Sequence, residues 1–361
     1  MSHYQFKPNT LIHYAEDKVL IRANGKSISV PDESGVYAAF FKLLDGKLSL
    51  SGISRKLTAE YPEATVENLL GVIKDLDEQY LLEKAYMPVP QNLTDDDLER
   101  YSRNFEFFNT FCNAHQNKYE LQAKIKNTKV LLLGLGGLGS HILYDLAALG
   151  ACNIQAVDFD KIELSNLNRQ ILYTQDDIGK LKTEVAYRRI KTFNTQLNLE
   201  CINKRITCTG DIAALLDNID IVICVADKPR EHILNWLNEA CTAKGVPFIN
   251  AGIDMQRAVY FSVIPGETGC IHCWKSSALN KHDDSAELLK VESELDTSTN
   301  APMPAVVHLV SSITGFVVSE FIRIVTAIAP PMATNKLCSV DFNLMQVEPV
   351  ETWERVEDCP C

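Results

Sequence analysis

The chain has 361 residues, enough for two domains, and its 46% apolar and 23% charged content is ordinary for a soluble globular protein. A formal net charge of −12 with no basic stretch argues against general nucleic-acid binding. The polar start, MSHYQFKPNT, and the lack of an apolar run of 18 residues argue against a secretory signal or membrane span, so a cytoplasmic protein is expected. In a reducing compartment the eleven cysteines then suggest buried small residues, a metal site or reactive thiols before disulfides.

Residues 11–21 alternate loosely, and Asn24-Gly25 before residues 27–30 signals a hairpin. Helical spacing follows over residues 37–44, 51–61 and 66–80, then a short Leu81-Leu82 segment. A hairpin with three helices predicts a winged-helix-like α+β domain over residues 1–90. Such modules often bind DNA, but these helices are as acidic as they are basic. A peptide laid along a sheet edge and into a helix groove fits better, with a dimerisation or packing module as the plain alternative. Residues 87–94 and the acidic 95–99 read as a linker into a helix opening at Arg100-Tyr101-Ser102-Arg103. Arg100 and Arg103, three apart, are either solvated surface or a clamp on phosphates supplied from a neighbouring subunit.

The apolar run at residues 130–133 predicts a buried parallel strand. Gly134, Gly136, Gly137 and Gly139 follow in the sequence GLGGLG. Glycine lets the backbone turn tightly and approach a phosphate, while the next helix, residues 138–149, offers N-terminal amides to the anion. A strand at 154–157 delivers Asp158, about 24 residues after Gly134, where a dinucleotide-type fold puts a carboxylate on ribose hydroxyls. The loop Ser165-Asn166-Leu167-Asn168-Arg169-Gln170 suits a polyphosphate. Lys182, at the start of a helix after Gly179, offers a mobile charge or is plain surface. A buried strand over 219–225 ends at Asp227, which either holds Mg²⁺ or a substrate amine, or caps the helix from Pro229. A further strand spans 247–251.

Cys270 and Cys273, paired with Cys359 and Cys361, have the pattern of a tetrahedral structural zinc site, with His272 as an alternative ligand and redox thiols as an alternative use. Polar residues 280–300 read as a crossover segment able to cover a substrate, before a helix starting at Ala301-Pro302. The long apolar stretch 306–328, broken by Ser311, Ser312, Gly315 and Glu320, reads as a buried interface helix of a dimer rather than a membrane span. Strands are expected over 337–344 and 346–350.

With these residues collected, the region from about residue 100 to 361 resembles the ubiquitin-activating-enzyme-like adenylating superfamily that includes ThiF and MoeB. GLGGLG, DFDKIELSNLNRQ, GKLK, VAD and the cysteine pairs occur in that family's order. The resemblance implies an α/β fold: a Rossmann-like, mostly parallel sheet forming an adenylation domain over residues 91–361, behind the winged-helix-like domain. It also implies a homodimer that uses ATP and Mg²⁺ to activate a carboxylate as an acyl-adenylate, with a structural Zn²⁺ on the four cysteines. By motif position Gly134, Gly136, Gly137 and Gly139 would line the nucleotide, Asp158 would hold the ribose, and Asp160 and Asn168 would also belong to the nucleotide site. Asn166, Arg169 and Lys182 would meet the phosphates, Asp227 would serve Mg²⁺, and Arg103 would reach across the dimer.

The small domain followed by RYSRNF is most similar to the branch that modifies ribosomally made precursor peptides, in which a PqqD-like element recognises the leader. Capture of the activated acyl group by the same peptide would give a ring or an N–P bond. Residues 280–300 contain no cysteine, so a covalent thioester step is not expected. Two other readings stand beside this one: activation of a sulfur-carrier protein, and a non-catalytic protein that docks a leader peptide for a separate cyclising enzyme. A dehydrogenase would leave the SNLNRQ loop and the cysteines unexplained.

Overall fold

The computed structural model describes residues 3–281, 304–344, 346–357, 359 and 361. The predicted crossover segment lies almost wholly outside them, as does the expected helix start at Ala301-Pro302. The chain divides into two compact units, Met1–Ala123 and Lys124–Cys361.

In the first unit β2 (Leu11–Tyr14), β3 (Lys18–Ala23) and β4 (Lys26–Pro31) form an antiparallel sheet in the order β2-β3-β4. The stretch read as one alternating run is thus two strands. Asn24 and Gly25 join β3 to β4 with φ of 51° and 74°, the double left-handed conformation that a two-residue hairpin needs and that Asn-Gly tolerates. Helices α1 (Val36–Lys42), α2 (Leu50–Leu57) and α3 (Val66–Glu78) follow. Their starts are set chemically: Asp32 accepts from the Tyr37 and Ala38 amides, Ser49 from Gly52 and Thr65 from Asn68. Val19, Ile21, Phe40, Phe41, Ile53 and Ile73 make the core between sheet and helices. β1 (Tyr4–Phe6) and β5 (Leu82–Lys84) close the fold as a separate antiparallel pair.

Residues 95–99 are helical. Thr94 and Asp97 form a reciprocal capping box, and three aspartates in the first turn complement the helix dipole of α4 (Asp95–Arg100). The chain breaks at Tyr101 and resumes as α5 (Ser102–Asn109), so Arg100 and Arg103 sit on different helices and share no helical face. A buried polar network ties these helices to the small strands. Glu83 accepts from Gln5 at 2.8 Å and Asn109 at 2.7 Å and lies 3.5 Å from the Lys118 ammonium, while Lys7 donates to the Asn109 and Cys112 carbonyls, both at 2.6 Å. The chain then enters α6 (Lys118–Asn127), inside which the division between units falls.

In the second unit the apolar runs form one eight-stranded sheet. Its strands are β6 (Lys129–Leu133), β7 (Asn153–Asp158), β8 (Asn198–Asn203), β9 (Ile221–Cys224), β10 (Phe248–Asp254), β11 (Arg257–Val263), β12 (Lys336–Asp341) and β13 (Val347–Thr352). The order is β13-β12-β11-β10-β9-β6-β7-β8; β8 through β10 pair in parallel and β11 to β13 extend the sheet antiparallel. Connecting helices include α7 (Gly137–Leu149), α8 (Lys182–Phe193), α9 (Thr209–Ala213), α10 (Arg230–Lys244), α11 (Ile271–Lys281) and α12 (Val307–Thr326). The result is a mixed α/β fold with a large, mostly parallel, Rossmann-like sheet, as the sequence predicts.

Helix α12 has the length and hydropathy of a membrane span by composition alone, but half of its most apolar window is buried inside the unit. Glu320, 1% exposed, marks its inward face: the carboxylate accepts from Ser262 Oγ at 2.7 Å and from the Met332 and Ala333 amides at 2.8 and 2.9 Å.

Candidate functional site

The strand order reverses between β6 and β9, which are adjacent in the sheet but lead their connections to opposite sides. In an open parallel sheet the crevice beyond the carboxyl ends at such a switch point is where ligands bind. β6 delivers GLGGLG there, and β9 delivers Val225, Ala226 and Asp227.

The glycines have distinct physical reasons. Gly134 has φ of 99°, and a Cβ on it would lie 3.0 Å from the Ala226 nitrogen. A Cβ on Gly139 would lie 1.9 Å from the Gly134 carbonyl oxygen, so helix α7 rises against strand β6 only because that atom is missing. Gly136 is the N-cap of α7 with no side-chain cap, which leaves the first-turn amides directed at the crevice. Gly137 lies under the Arg169 side chain, its Cβ position 3.4 Å from Cγ.

At the end of β7, Asp158 accepts from the Leu135 amide at 2.6 Å and from the Asp160 amide at 2.7 Å. Burial pushes its carboxyl above the usual carboxylate range, opposed by Lys182 and these two amides. Lys182, only 5% exposed, is not a surface lysine: its ammonium is 2.9 Å from Asp160 Oδ2. Its own amide donates to the Asp160 carbonyl at 3.0 Å. Two sequence-distant motifs, DFD and GKLK, therefore meet in one ion pair.

The SNLNRQ loop opens with a short 3₁₀ turn, Leu164–Asn166, in which Asn166 Oδ1 accepts from the Glu163 amide. Arg169 is half-buried, its guanidinium held by the Ser165 carbonyl at 3.2 Å and Asn168 Oδ1 at 2.8 Å. The Arg169 carbonyl lies 3.1 Å from His141 Nε2 on α7, and Asn168 also donates to the Ala305 carbonyl. Gln170, 2% exposed, brings its Nε2 to 3.9 Å from the Gly136 Cβ position, and its Oε1 has no hydrogen-bond partner among the described residues.

Asp227 is exposed at the end of β9 and does not cap α10, whose N-cap is Pro229 with no side-chain hydrogen bond. A hard carboxylate at the mouth of the crevice suits Mg²⁺. Arg103 is exposed on α5 in the other unit.

The four cysteines converge. Cys270, Cys273, Cys359 and Cys361 are all buried, with sulfurs mutually within 4.8 Å. Cys270 lies 3.9 Å from Cys273 and 3.7 Å from Cys359, and Cys273 is 3.7 Å from Cys361. Tetrahedral Zn–S bonds of about 2.3 Å put ligand sulfurs ~3.8 Å apart, so the cluster has the dimensions of a Cys₄ zinc site. The Val356 amide and Asn238 Nδ2 donate to Cys273 and Cys270, the kind of outer contacts that steady thiolates. His272, the alternative ligand, is exposed, and its Nδ1 is 3.9 Å from Cys359 Sγ; the four sulfurs close the set without it. Gly269 allows the knuckle to close, since a Cβ there would meet Trp353 at 2.8 Å.

The sequence reading passed over Asp177, which is 2% exposed behind the crevice and accepts from Thr174, Lys180, Arg188 and Arg189. Nothing in its local sequence, Gln175-Asp176-Asp177, separates it from a surface aspartate.

A model of the ThiF family matches residues 101–361. Among curated relatives, the heterocyst protein HesA of Trichormus variabilis is 28% identical over 71% of this chain and 85% of its own length. The sulfur carrier protein ThiS adenylyltransferase of Bacillus subtilis is 30% identical over 42% of this chain and 45% of its own length, so the chain spans less than half of that relative. Solved structures of the microcin C7 biosynthetic enzyme MccB are similar end to end. The Escherichia coli MccB structure with ATP has a TM-score of 0.76 at 25% identity, covering 99% of this chain and 98% of that one. The MccB complex with N-formylated MccA has a TM-score of 0.75 at 25% identity over the same shares.

Proposed function

We propose, from the premise that this chain belongs to the ThiF family and is an ATP-dependent adenylating enzyme, that it activates a carboxylate on a ribosomally made precursor peptide. The observation that carries this reading is the end-to-end likeness to MccB, which includes the first unit, whereas the sulfur-carrier adenylyltransferase matches cover 42% to 50% of the chain. In this reading residues 1–90 recognise the leader and residues 91–361 adenylate, in a homodimer.

A carboxylate oxygen of the peptide attacks the α-phosphorus of ATP, the bond to the β-phosphate oxygen breaks, and pyrophosphate leaves. Little covalent work falls to the protein, so positioning and charge neutralisation dominate. Asp158 and Asp160 hold the ribose end, and Gly134, Gly136, Gly137 and Gly139 let the phosphates approach the α7 amides. Asn166, Asn168, Arg169 and Lys182 take the phosphate charge, with Arg103 supplied by the second protomer. Lys182 would exchange its Asp160 partner for a phosphate oxygen. Asp227 would hold Mg²⁺, which neutralises phosphate charge when bound. The four cysteines would hold a structural Zn²⁺ that fastens the end of the chain to α11. Attack of an amide or amine nitrogen of the same peptide on the activated acyl carbon then forms a C–N bond and releases AMP, giving a ring; attack of such a nitrogen on the α-phosphorus of a further ATP, with pyrophosphate leaving, would give an N–P bond.

The test is ATP–pyrophosphate exchange with candidate precursor peptides, with and without their leaders, followed by mass spectrometry. Exchange that needs the leader-bearing peptide is expected. Exchange with a sulfur-carrier protein and with no peptide overturns the reading, and failure to bind ATP would favour a docking protein.

A further inference from the structure

Lys182 is held at the first turn of its helix, and the middle of that helix is anchored in turn. At the start of α8 its amide and its ammonium are both fixed by Asp160. Two turns on, Arg188 Nη2 and Arg189 Nη2 reach Asp177, at 2.9 Å from Oδ1 and 2.5 Å from Oδ2. The same carboxylate accepts from the Thr174 amide at 3.1 Å and hydroxyl at 2.9 Å, and from Lys180 at 3.3 Å.

Asp177 thus joins three pieces of chain: the 3₁₀ turn Gln175–Asp177, the Gly179-Lys180 loop and the body of α8. That loop is in turn stitched to the strand-end segment, Gly179 donating to the Ile162 carbonyl at 2.8 Å and Ile162 to the Lys180 carbonyl at 2.9 Å. Lys182 meets the DFD motif directly through Asp160, and the loop that leads into it is fixed on one side by Asp177 and on the other by Ile162. Burial alone would raise this carboxyl, but hydrogen bonds from Arg189, Thr174 and Lys180 hold it well below the usual range, so it stays ionised. Taking it away leaves three cations facing one another, and their repulsion acts directly on the loop that leads into Lys182.

We propose that Asp177 is a positioning residue for adenylyl transfer, setting the register of α8 so that the Lys182 ammonium stands at the phosphate crevice. The inference rests on the nucleotide-site reading of Lys182 given above. Asp177 touches no substrate in this scheme; it acts through Lys182.

The experiment is a double-mutant cycle in the full-length protein, read by ATP–pyrophosphate exchange with a peptide that supports it. Asp177→Asn keeps the side chain's shape and can still accept from Thr174, yet loses the charge that gathers the cations. It should lower exchange at least tenfold and raise the KM for ATP, with Asp177→Glu recovering part of the loss. In a Lys182→Met background Asp177→Asn should cost less than about twofold more, because the group it positions is already gone. If Asp177→Asn unfolds the chain, the double variant Arg188→Gln, Arg189→Gln tests the same link from the other side, with the same non-additivity expected. Wild-type exchange in Asp177→Asn, or an equal fractional loss in both backgrounds, overturns the inference while leaving the nucleotide site standing. A fully active Lys182→Met overturns the reading of Lys182 itself, and the inference with it.

Discussion

Gly139→Ala is the sharpest test of how the crevice is built. The added methyl would lie 1.9 Å from the Gly134 carbonyl oxygen where ordinary contact begins at 3.4 Å, about 1.5 Å short. The obstructing atom is backbone, so relief requires α7 to lift from β6 or the glycine turn to open. Overpacking of this kind costs at least the ~3 kcal/mol at the upper end of the usual range. Replacing glycine by alanine inside a helix returns about 1 kcal/mol. The net loss of roughly 2 kcal/mol should lower the melting temperature of a unit this size by about 4–8 °C. Gly136→Ala is the matched control, because the nearest atom to its methyl is Gln170 Nε2 at 3.9 Å and its φ of −76° is not left-handed. Differential scanning calorimetry with and without ATP reads both effects. Wild type should gain about 2.7 kcal/mol of stability at ATP a hundredfold above Kd. Gly139→Ala should lose most of that gain along with its intrinsic stability, whereas Gly136→Ala should melt within about 1 °C of wild type without ATP and lose part of the gain with it, its methyl standing where the phosphates approach. Equal melting of Gly139→Ala and wild type, or equal loss in both variants, would refute the close approach of helix to turn.

Three further outcomes are expected. Elemental analysis should find one zinc per chain, and Cys273→Ser or Cys361→Ser should release it and lower the melting temperature, whereas His272→Ala should retain it; zinc loss in the histidine variant alone would assign the wrong ligands. Burial, opposed by Cys112 and Glu83, lowers Lys7 from 10.5 to about 8, so between those values the unfolded chain holds the proton that the folded chain releases. Stability should therefore rise with pH across that window by up to about 3 kcal/mol relative to Lys7→Met, measured by urea unfolding from pH 7 to 10; parallel curves would show that Lys7 is not strained by its site. If Arg103 serves the partner protomer, Arg103→Ala and Lys182→Met should each be poorly active alone. Mixed and re-equilibrated, they should recover exchange activity, and no recovery at any ratio would place Arg103 outside the second protomer's site.

What the sequence reveals depends on how local the physics is. The Asn24-Gly25 turn, the GLGGLG turn and the buried run of β6 are legible because left-handed backbone, close approach and double-sided burial each restrict residue type at that very position. Lys182 illustrates the opposite case. Its neighbours cannot distinguish it from a surface lysine, since the carboxylate that holds it, Asp160, comes from a different strand end. The acidic run 95–99 misled for a chemical reason: the same aspartates that suggest a solvated linker are good first-turn residues once Thr94 provides a cap. The β1–β5 pair escaped notice because three-residue strands carry no periodicity and meet across most of the first unit. The antiparallel strand β11 was missed because its pairing with β10 and β12 is set by sheet geometry rather than by any signal of its own.

Asp158 arrives at the crevice already committed, with both oxygens engaged by the Leu135 and Asp160 amides. Each oxygen keeps a lone pair for a sugar hydroxyl, but the side chain has no rotamer left to lose. In the proposed site, the cost of freezing that carboxylate falls on folding rather than on each encounter with ligand. Discrimination between nucleotides should then be expressed in how long they stay rather than in how fast they arrive. A sugar lacking its hydroxyls would enter at nearly the same rate and leave sooner.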